Sequence, residues 1–319
     1  MSTNNATTTD TSTFVCTLQT CSLDYAMIHY IPSLAGNALF LALFCVAAVV
    51  HLFLGVWHRT TSYLVAVMGG LLLEIIGYAG RISLHEDPFS FNAFLQYLIC
   101  LTLGPAFISA GIYLCFGRVV IEYDPRCSRL APATYSKVFI ACDLVCLILQ
   151  SAGGAITSTA GTDNTSLSDL GINIMIAGLA CQVVSLVAFM ALAGDFALRM
   201  RRHQTQGSGS LLPVDWHAGW KWRGFLISLV VATTTIFIRS CFRVAELKGG
   251  FGSALANDQV AFMVLEGVMM ILACGAMTAF HPGLVFSRER WNASAQQQLK
   301  LQRVETGSSQ IEMVQRSDV

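Results

Sequence analysis

The feature that most constrains this chain is a series of seven long apolar runs. They extend over residues 34–57, 62–84, 91–120, 135–157, 171–198, 222–243 and 260–280. Each run reaches the about 20 residues that a helix needs to cross the hydrocarbon core of a bilayer. Helices are the expected form, because a backbone in lipid must satisfy its own hydrogen bonds. The sequence therefore predicts an all-α integral membrane bundle of seven transmembrane helices.

The composition excludes several other classes of protein. The chain is 54% hydrophobic and only 12% charged, whereas a soluble domain is roughly 25% charged. A soluble helical protein with so few charges could not cover its surface with polar groups. The sequence also lacks a GxxxxGK[ST] phosphate loop and the HExxH and GxSxG motifs, which argues against an ATP-driven pump or a hydrolase. We predict no catalytic residue, cofactor, metal site or nucleic-acid partner.

The positive charges predict the orientation of the bundle. With the N-terminus outside, 15 of the 19 Lys and Arg fall in or beside the cytoplasmic loops and the C-terminal tail, as the positive-inside rule requires. We therefore expect a disordered extracellular tail over 1–30, a transmembrane domain over 31–283 and a cytoplasmic tail over 284–319. The first 30 residues lack a basic segment followed by an apolar one, so the first span is expected to direct insertion.

Two modifications are predicted on the outer side. Asn5 and Asn164 begin glycosylation sequons there, so both are candidate acceptor sites. Cys16 and Cys21 lie together on the oxidising side, where a local disulfide and two free thiols both remain open. Most other cysteines fall inside the spans with irregular spacing, which favours small apolar core residues over ligands.

Ionisable side chains interrupt four of the spans. Each costs about 2.5–3.5 kcal/mol at the bilayer centre on insertion scales, so it persists where it pairs or lines a cavity. Glu74 and Arg81 are seven residues apart and hence share one helical face, where we expect them to pair. Arg239, Arg243 and Glu246 share a second face, where structural pairing and contact with a substrate both remain open.

Asp143 and Glu266 have no basic partner on their own helices. They are therefore the stronger candidates for a titrating or substrate-facing carboxylate. Seven-residue spacing also aligns Asp143 with Gln150, and it places Asn37 and His51 on one face of the first span. We interpret His51 as a hydrogen-bonded interfacial residue rather than a ligand.

Glycines and prolines predict close contacts and helix ends. Gly153 and Gly154 allow close helix approach, and Pro105 predicts a kink in the third span because it removes a backbone hydrogen bond. The triplet His281, Pro282 and Gly283 is expected to end the last span.

These polar residues follow an order along the chain that resembles one family. The matching positions are Tyr30, Pro32, Asn37 and His51; Glu74, Gly77, Tyr78 and Arg81 as Glu-x-x-Gly-Tyr-x-x-Arg; Pro105 and Tyr113; Asp143, Gln150, Gly153 and Gly154; Gln182; Arg239, Arg243 and Glu246; and His281, Pro282 and Gly283. Together they resemble the fungal lipid-translocating exporter family, which is known for resistance to aminocholesterol and for release of sphingoid long-chain bases. The chain departs from that pattern at Gln259 and Met263, where the family tends to place an acid and an aromatic.

The resemblance implies a multi-pass transporter, expected at the plasma membrane, that exports or translocates amphipathic lipids such as sphingoid bases, phospholipids or toxic sterol-like compounds. Family links to haem or porphyrin traffic leave the substrate class open. We hypothesise that polar residues guide the lipid head group while its tail stays in the bilayer; the candidates are Glu74, Arg81, Asp143, Gln150, Gln182, Arg239, Arg243, Glu246 and Glu266. The alternative is a seven-helix sensor, receptor or regulatory subunit in lipid-stress signalling.

Overall fold

The computed structural model describes residues 21–23, 26, 28–123, 132–160, 165–205, 219–249, 253, 255–286 and 291. Within them, seven helices are long and apolar enough to cross a membrane, and no strand occurs among these residues. They are α1 (Leu34–Trp57), α2 (Thr61–Glu86), α3 (Phe91–Tyr123), α4 (Pro132–Ala160), α5 (Thr165–Thr205), α6 (Trp220–Gly249) and α7, which joins Gln259–Phe262, a π-helical segment Met263–Val268, and Met269–Ala279. A single turn, α8 (Pro282–Val285), follows. The prediction of seven spans is confirmed.

Side-chain caps and a tight turn define several helix ends. Ser33 accepts a hydrogen bond from the Gly36 amide at the start of α1, and Asp258 accepts bonds from two amides at the start of α7. Such caps satisfy amides that have no partner within the helix. Between α1 and α2 the backbone reverses through Arg59, whose φ of 54° is left-handed. This short connection places the two helices side by side.

The bundle is packed mainly through helices that are neighbours in the sequence. The most extensive contacts join α2 with α3 and α4 with α5. At the second interface the backbones almost touch: a Cβ atom added to Gly153 would lie 2.6 Å from the Gly171 carbonyl oxygen. A Cβ added to Gly171 would lie 2.7 Å from the Gly153 carbonyl oxygen. Small residues at these positions therefore set the close spacing of α4 and α5.

The distribution of polar and apolar side chains is the reverse of that in a soluble protein. Large apolar side chains cover the outer faces, as Val46, Val49 and Phe53 do on α1. The bundle interior buries ionisable groups that include Glu74, Arg239 and Glu266. Lipid is the solvent that suits such a surface. The chain is thus a multi-pass membrane protein, while the side on which each terminus lies stays a prediction.

Several sequence predictions fall outside the described residues. Asn5, Asn164 and Cys16 are among them, as are most of the predicted tails 1–30 and 284–319. Cys21 is disulfide-bonded, but its predicted pairing with Cys16 stays a prediction. Glycosylation at the two asparagines stays a prediction as well.

Candidate substrate path

The Glu-x-x-Gly-Tyr-x-x-Arg pattern of α2 directs one helical face into the bundle. Gly77 lies against α3, since an added Cβ would meet a Leu101 methyl carbon at 2.5 Å. The Tyr78 ring packs against α1, with the Phe40 and Phe44 ring centroids each 5.4 Å away. Residues three and four apart share a helical face. Gly77 and Tyr78 thereby pack α2 against α3 and α1. Glu74 and Arg81 lie on the same face, one turn to either side of these contacts.

Arg81 is held by α1 and by aromatic rings rather than by an acid. Its Nε atom donates to Asn37 Oδ1 at 3.2 Å, and its Nη2 atom donates to the Tyr30 hydroxyl at 2.9 Å. The guanidinium carbon lies 3.8 Å from the ring centroid of Phe262 and 5.1 Å from that of Tyr97. Hydrogen bonds and ring faces stabilise the buried cation. The predicted Glu74–Arg81 pair is therefore wrong, although the two residues do share the buried face.

The sixth and seventh helices meet through a network of ion pairs. Arg239 donates to Glu266 and to the Leu101 carbonyl oxygen of α3. Arg243 Nη1 lies 2.7 Å from Glu246 Oε2, and Arg243 Nε lies 3.1 Å from Glu266 Oε2. These side chains are at most 6% exposed, so the pairs form away from water. Arg243 therefore pairs with Glu246, which is one of the two alternatives that the sequence left open, and contact with a substrate stays a prediction.

Glu266 is therefore not the unpartnered carboxylate that its own helix suggested. It lies in the π-helical segment Met263–Val268, where the hydrogen-bond pattern changes from i→i+4 to i→i+5. π-Helical segments are rare in proteins, and those that occur are often found at functional sites. The segment includes Met263, one of the two positions that depart from the family pattern. No local sequence signal had predicted a π-helix there.

Glu74 is the carboxylate that the protein leaves without a hydrogen bond. Its side chain is fully buried, and neither oxygen has a hydrogen-bond partner. The charges of Arg239, Arg243 and Glu266 act on it electrostatically, but Arg239 and Arg243 direct their hydrogen bonds elsewhere. Gly104 of α3 leaves space beside it, since an added Cβ would lie 2.7 Å from Glu74 Oε1. We call Glu74, Arg81, Arg239, Arg243, Glu246 and Glu266 the charge cluster; its three acids and three arginines balance formally.

A second polar set lies between α4 and α5. Gln150 Nε2 donates to Gln182 Oε1 at 3.0 Å, and Ser185 Oγ donates to Asp143 Oδ1 at 3.3 Å. The Tyr113 side chain of α3 lies beside Asp143. The other carboxylate oxygen of Asp143 has no partner. We call Asp143, Gln150, Gln182 and Ser185 the α4/α5 ladder, because its two rungs join the same pair of helices.

The histidines at the opposite end of the bundle have mainly structural contacts. His51 is buried, and its Nε2 atom lies 2.8 Å from the Thr278 hydroxyl of α7. This confirms that His51 is hydrogen-bonded, although it is buried rather than interfacial. The helix α7 ends before His281 as predicted. His281 Nδ1 then accepts from the Gly283 amide at 3.1 Å and begins α8, with Pro282 in its first turn.

The remaining motif residues shape the helix contacts. The Pro32 carbonyl oxygen lies 2.8 Å from His85 Nδ1, α3 continues through Pro105, and Gly153 forms the close contact with α5. Gly154 has no neighbour within 3.4 Å of an added Cβ. Most of the family-like positions thus hold helices together, whereas both carboxylate oxygens of Glu74 and one of Asp143 are buried without a protein donor.

The order of these residues agrees with a family comparison. The family described as RTA1 like protein matches residues 67–289, from α2 to beyond α8. The chain belongs to the RTA1-like family. No solved structure matches this RTA1-like chain.

Three relatives from Saccharomyces cerevisiae indicate the general activity. The chain is 32% identical over 281 residues to the sphingoid long-chain base transporter RSB1 of strain Lalvin EC1118, covering 80% of this chain and 73% of that protein. It is 27% identical over 218 residues to protoporphyrin uptake protein 1, covering 68% and 67%. Protein RTM1 is 26% identical over 219 residues, covering 68% and 66%. The two names that state an activity describe transport and not enzymatic conversion, so this RTA1-like chain is a membrane transporter.

Proposed function

We propose that this RTA1-like protein moves amphipathic lipids with a cationic head group, of the sphingoid long-chain base type, between the leaflets of its membrane. Glu74 carries the proposal, because it is a fully buried carboxylate with two unpartnered oxygens. Leaving such a group without a partner costs free energy. An ammonium head group supplies both the opposite charge and N–H donors.

The surroundings of Glu74 support binding of a cation there. Arg239 and Arg243 are themselves paired with Glu266 and Glu246. Their positive charge is thus largely offset where the head group would enter. Glu74 is then the acid of the charge cluster without an ion-pair partner among the described residues.

The head group passes a limited set of polar residues in this proposal. Glu74 binds the ammonium group, and Asp143, with its own unpartnered oxygen, offers a second carboxylate between α4 and α5. The alkyl tail stays in the lipid along the apolar outer faces. Arg81, Gln150, Gln182, Arg239, Arg243, Glu246 and Glu266 hold the helices and complete the polar lining. Plasma-membrane residence, resistance to toxic lipids and transport of sterol-like compounds belong to the same proposal.

The test uses purified protein in liposomes with a fluorescent sphingoid base added to one leaflet. We expect the wild-type protein to accelerate its appearance on the other leaflet. Glu74→Gln keeps the size of the side chain but removes its charge, so the accelerated rate should fall at least about tenfold, as expected for loss of one charged hydrogen bond. Asp195→Asn is the control, since Asp195 forms a partly exposed pair with Arg199 at 2.9 Å, outside the charge cluster.

Two results would contradict the proposal in different ways. An unchanged rate in a folded Glu74→Gln protein would remove Glu74 from the path. No acceleration by wild-type protein, with sphingoid bases, phospholipids, sterol-like compounds or protoporphyrin, would instead favour the sensor, receptor or regulatory subunit. A neutral lipid carried at the wild-type rate by Glu74→Gln would show that the variant remains functional and that the charge selects the cation.

A further inference from the structure

Three cysteines outside the proposed path lie together between α4 and α5. Cys142 and Cys146 are one turn apart on α4, and Cys181 lies on α5. Their three sulfur atoms all lie within 4.8 Å of one another. Cys146 is buried, Cys142 is half-buried and Cys181 is exposed on the outer face. All three are free thiols. Sequence spacing alone had indicated apolar core residues, because the third thiol comes from another helix.

The close packing of α4 and α5 brings these thiols together. A Cβ added to Gly178 would lie 3.0 Å from the Cys146 carbonyl oxygen and 2.9 Å from Gln150 Cγ. Gly178 is therefore a point of close backbone approach, and Cys181 lies one turn further along the same face of α5. The rungs of the α4/α5 ladder hold this register on both sides of Cys146, through Asp143 and Gln150. The cluster is thus built into a rigid interface.

The geometry suits one central atom bonded to three sulfurs. With bonds of about 2.3 Å, as in zinc thiolates, a three-coordinate centre requires its sulfurs at most about 4.0 Å apart, the value for a planar centre, and a pyramidal centre with a lone pair brings them closer. The three sulfur atoms already lie within 4.8 Å of one another, which is close to that limit. Among the described residues, no other group of three His, Cys, Asp or Glu side chains has this arrangement.

The net charge of the complex determines which element suits this site. Three thiolates around a monovalent ion would carry two negative charges, and around a divalent ion they would carry one. Net charge is costly inside a bilayer. A trivalent, thiol-seeking element gives a neutral complex. We propose that Cys142, Cys146 and Cys181 form a binding site for trivalent arsenic.

The reaction balances without an oxidant or a reductant. Neutral arsenous acid, As(OH)₃, exchanges its three As–O bonds for three As–S bonds. Each S–H proton leaves with a hydroxide as water, so three waters form and arsenic stays trivalent. Cys181 is exposed on the lipid-facing surface of α5, so the neutral acid reaches the site from the bilayer, and Cys146 closes the site from within.

The experiment titrates arsenite into the full-length protein in detergent, without added thiol or other reductant so that the disulfide at Cys21 is kept. Native mass spectrometry should detect one arsenic atom gained and three hydrogens lost. Replacing any of the three cysteines by serine should weaken arsenite binding on the order of 100-fold, because one of three linked bonds is lost. Cys45→Ser and Cys241→Ser are matched controls, since both remove exposed thiols of other spans and should leave binding unchanged.

Three outcomes would overturn the assignment. Loss of two hydrogens without arsenic would identify a disulfide instead of a binding site. An arsenic adduct that persists in all three serine variants would place the arsenic elsewhere. Tighter binding of cadmium than of arsenite would contradict selection of a neutral complex. Cys142→Ser, which changes the half-buried member, keeps the test valid if replacement of buried Cys146 prevents folding.

Discussion

The charge cluster and the α4/α5 ladder both bury polar side chains, but they use them differently. In the cluster, arginines and glutamates from α6 and α7 form direct ion pairs, and Arg239 also reaches α3. In the ladder, one carboxylate, one hydroxyl and two amides join α4 and α5. The ion pairs of the cluster join α6 to the next helix, α7, and Arg239 adds one bond to α3, whereas the ladder joins α4 and α5, which glycines already hold together. The ion pairs thus lie between helices whose contact is less extensive than that of α4 and α5.

This difference has an energetic consequence. Removing one member of a buried ion pair leaves an uncompensated charge, at a cost of about 3–5 kcal/mol. Polar contacts between transmembrane helices contribute only about 0.6 kcal/mol on average. Substitutions in the cluster should therefore affect stability more than substitutions in the ladder, even though both sets are buried.

The largest effect is expected from Glu266→Leu. Arg243 would keep Glu246, but Arg239 would lose its carboxylate inside the bundle. We expect the unfolding free energy to fall by about 3–5 kcal/mol. Unfolding of the purified protein in a detergent titration, followed by circular dichroism, measures the change.

The double variant Arg239→Leu/Glu266→Leu separates loss of charge balance from loss of packing. It removes both partners and leaves Arg243 with Glu246. Replacement of a complete buried pair by apolar residues is often neutral or stabilising, so the double variant should be more stable than Glu266→Leu alone. A double variant less stable than the single one would show that the pair contributes through packing and not through charge compensation.

The second effect concerns the backbone contact that the ladder accompanies. Gly153→Ala would push a methyl group to 2.6 Å from the Gly171 carbonyl oxygen, which a backbone cannot avoid by rotating a side chain. Overpacking of this kind costs about 1–3 kcal/mol. Thermal unfolding measures the loss, and Gly154→Ala is the control, since its nearest neighbours would be 3.7 Å away. Equal stability of the two variants would refute close packing at Gly153.

The two regions also show which features of the structure could be predicted from the sequence. Apolar runs predicted the seven spans, because length and hydropathy are local properties. The seven-residue spacing correctly placed Glu74 and Arg81 on one buried face, but it did not identify the residues that they contact. Arg81 binds Asn37 and Tyr30 of another segment, and Glu266 pairs across to α6. Such contacts depend on how helices are arranged around each other, as does the meeting of Cys181 with the α4 thiols.

The smallest effect, and the most direct check on the ladder, comes from the Gln150–Gln182 rung. Gln150→Leu and Gln182→Leu each remove one partner of the 3.0 Å bond. The two single variants and the double variant form a cycle that isolates the interaction. We expect a coupling free energy of about 0.6 kcal/mol, and below about 1.7 kcal/mol, as for polar contacts between other transmembrane helices. Unfolding of all four proteins under one condition measures it. A coupling as large as the loss expected in Glu266→Leu would remove the distinction between the two regions, because the ladder would then hold α4 and α5 as strongly as the ion pairs hold α6 and α7.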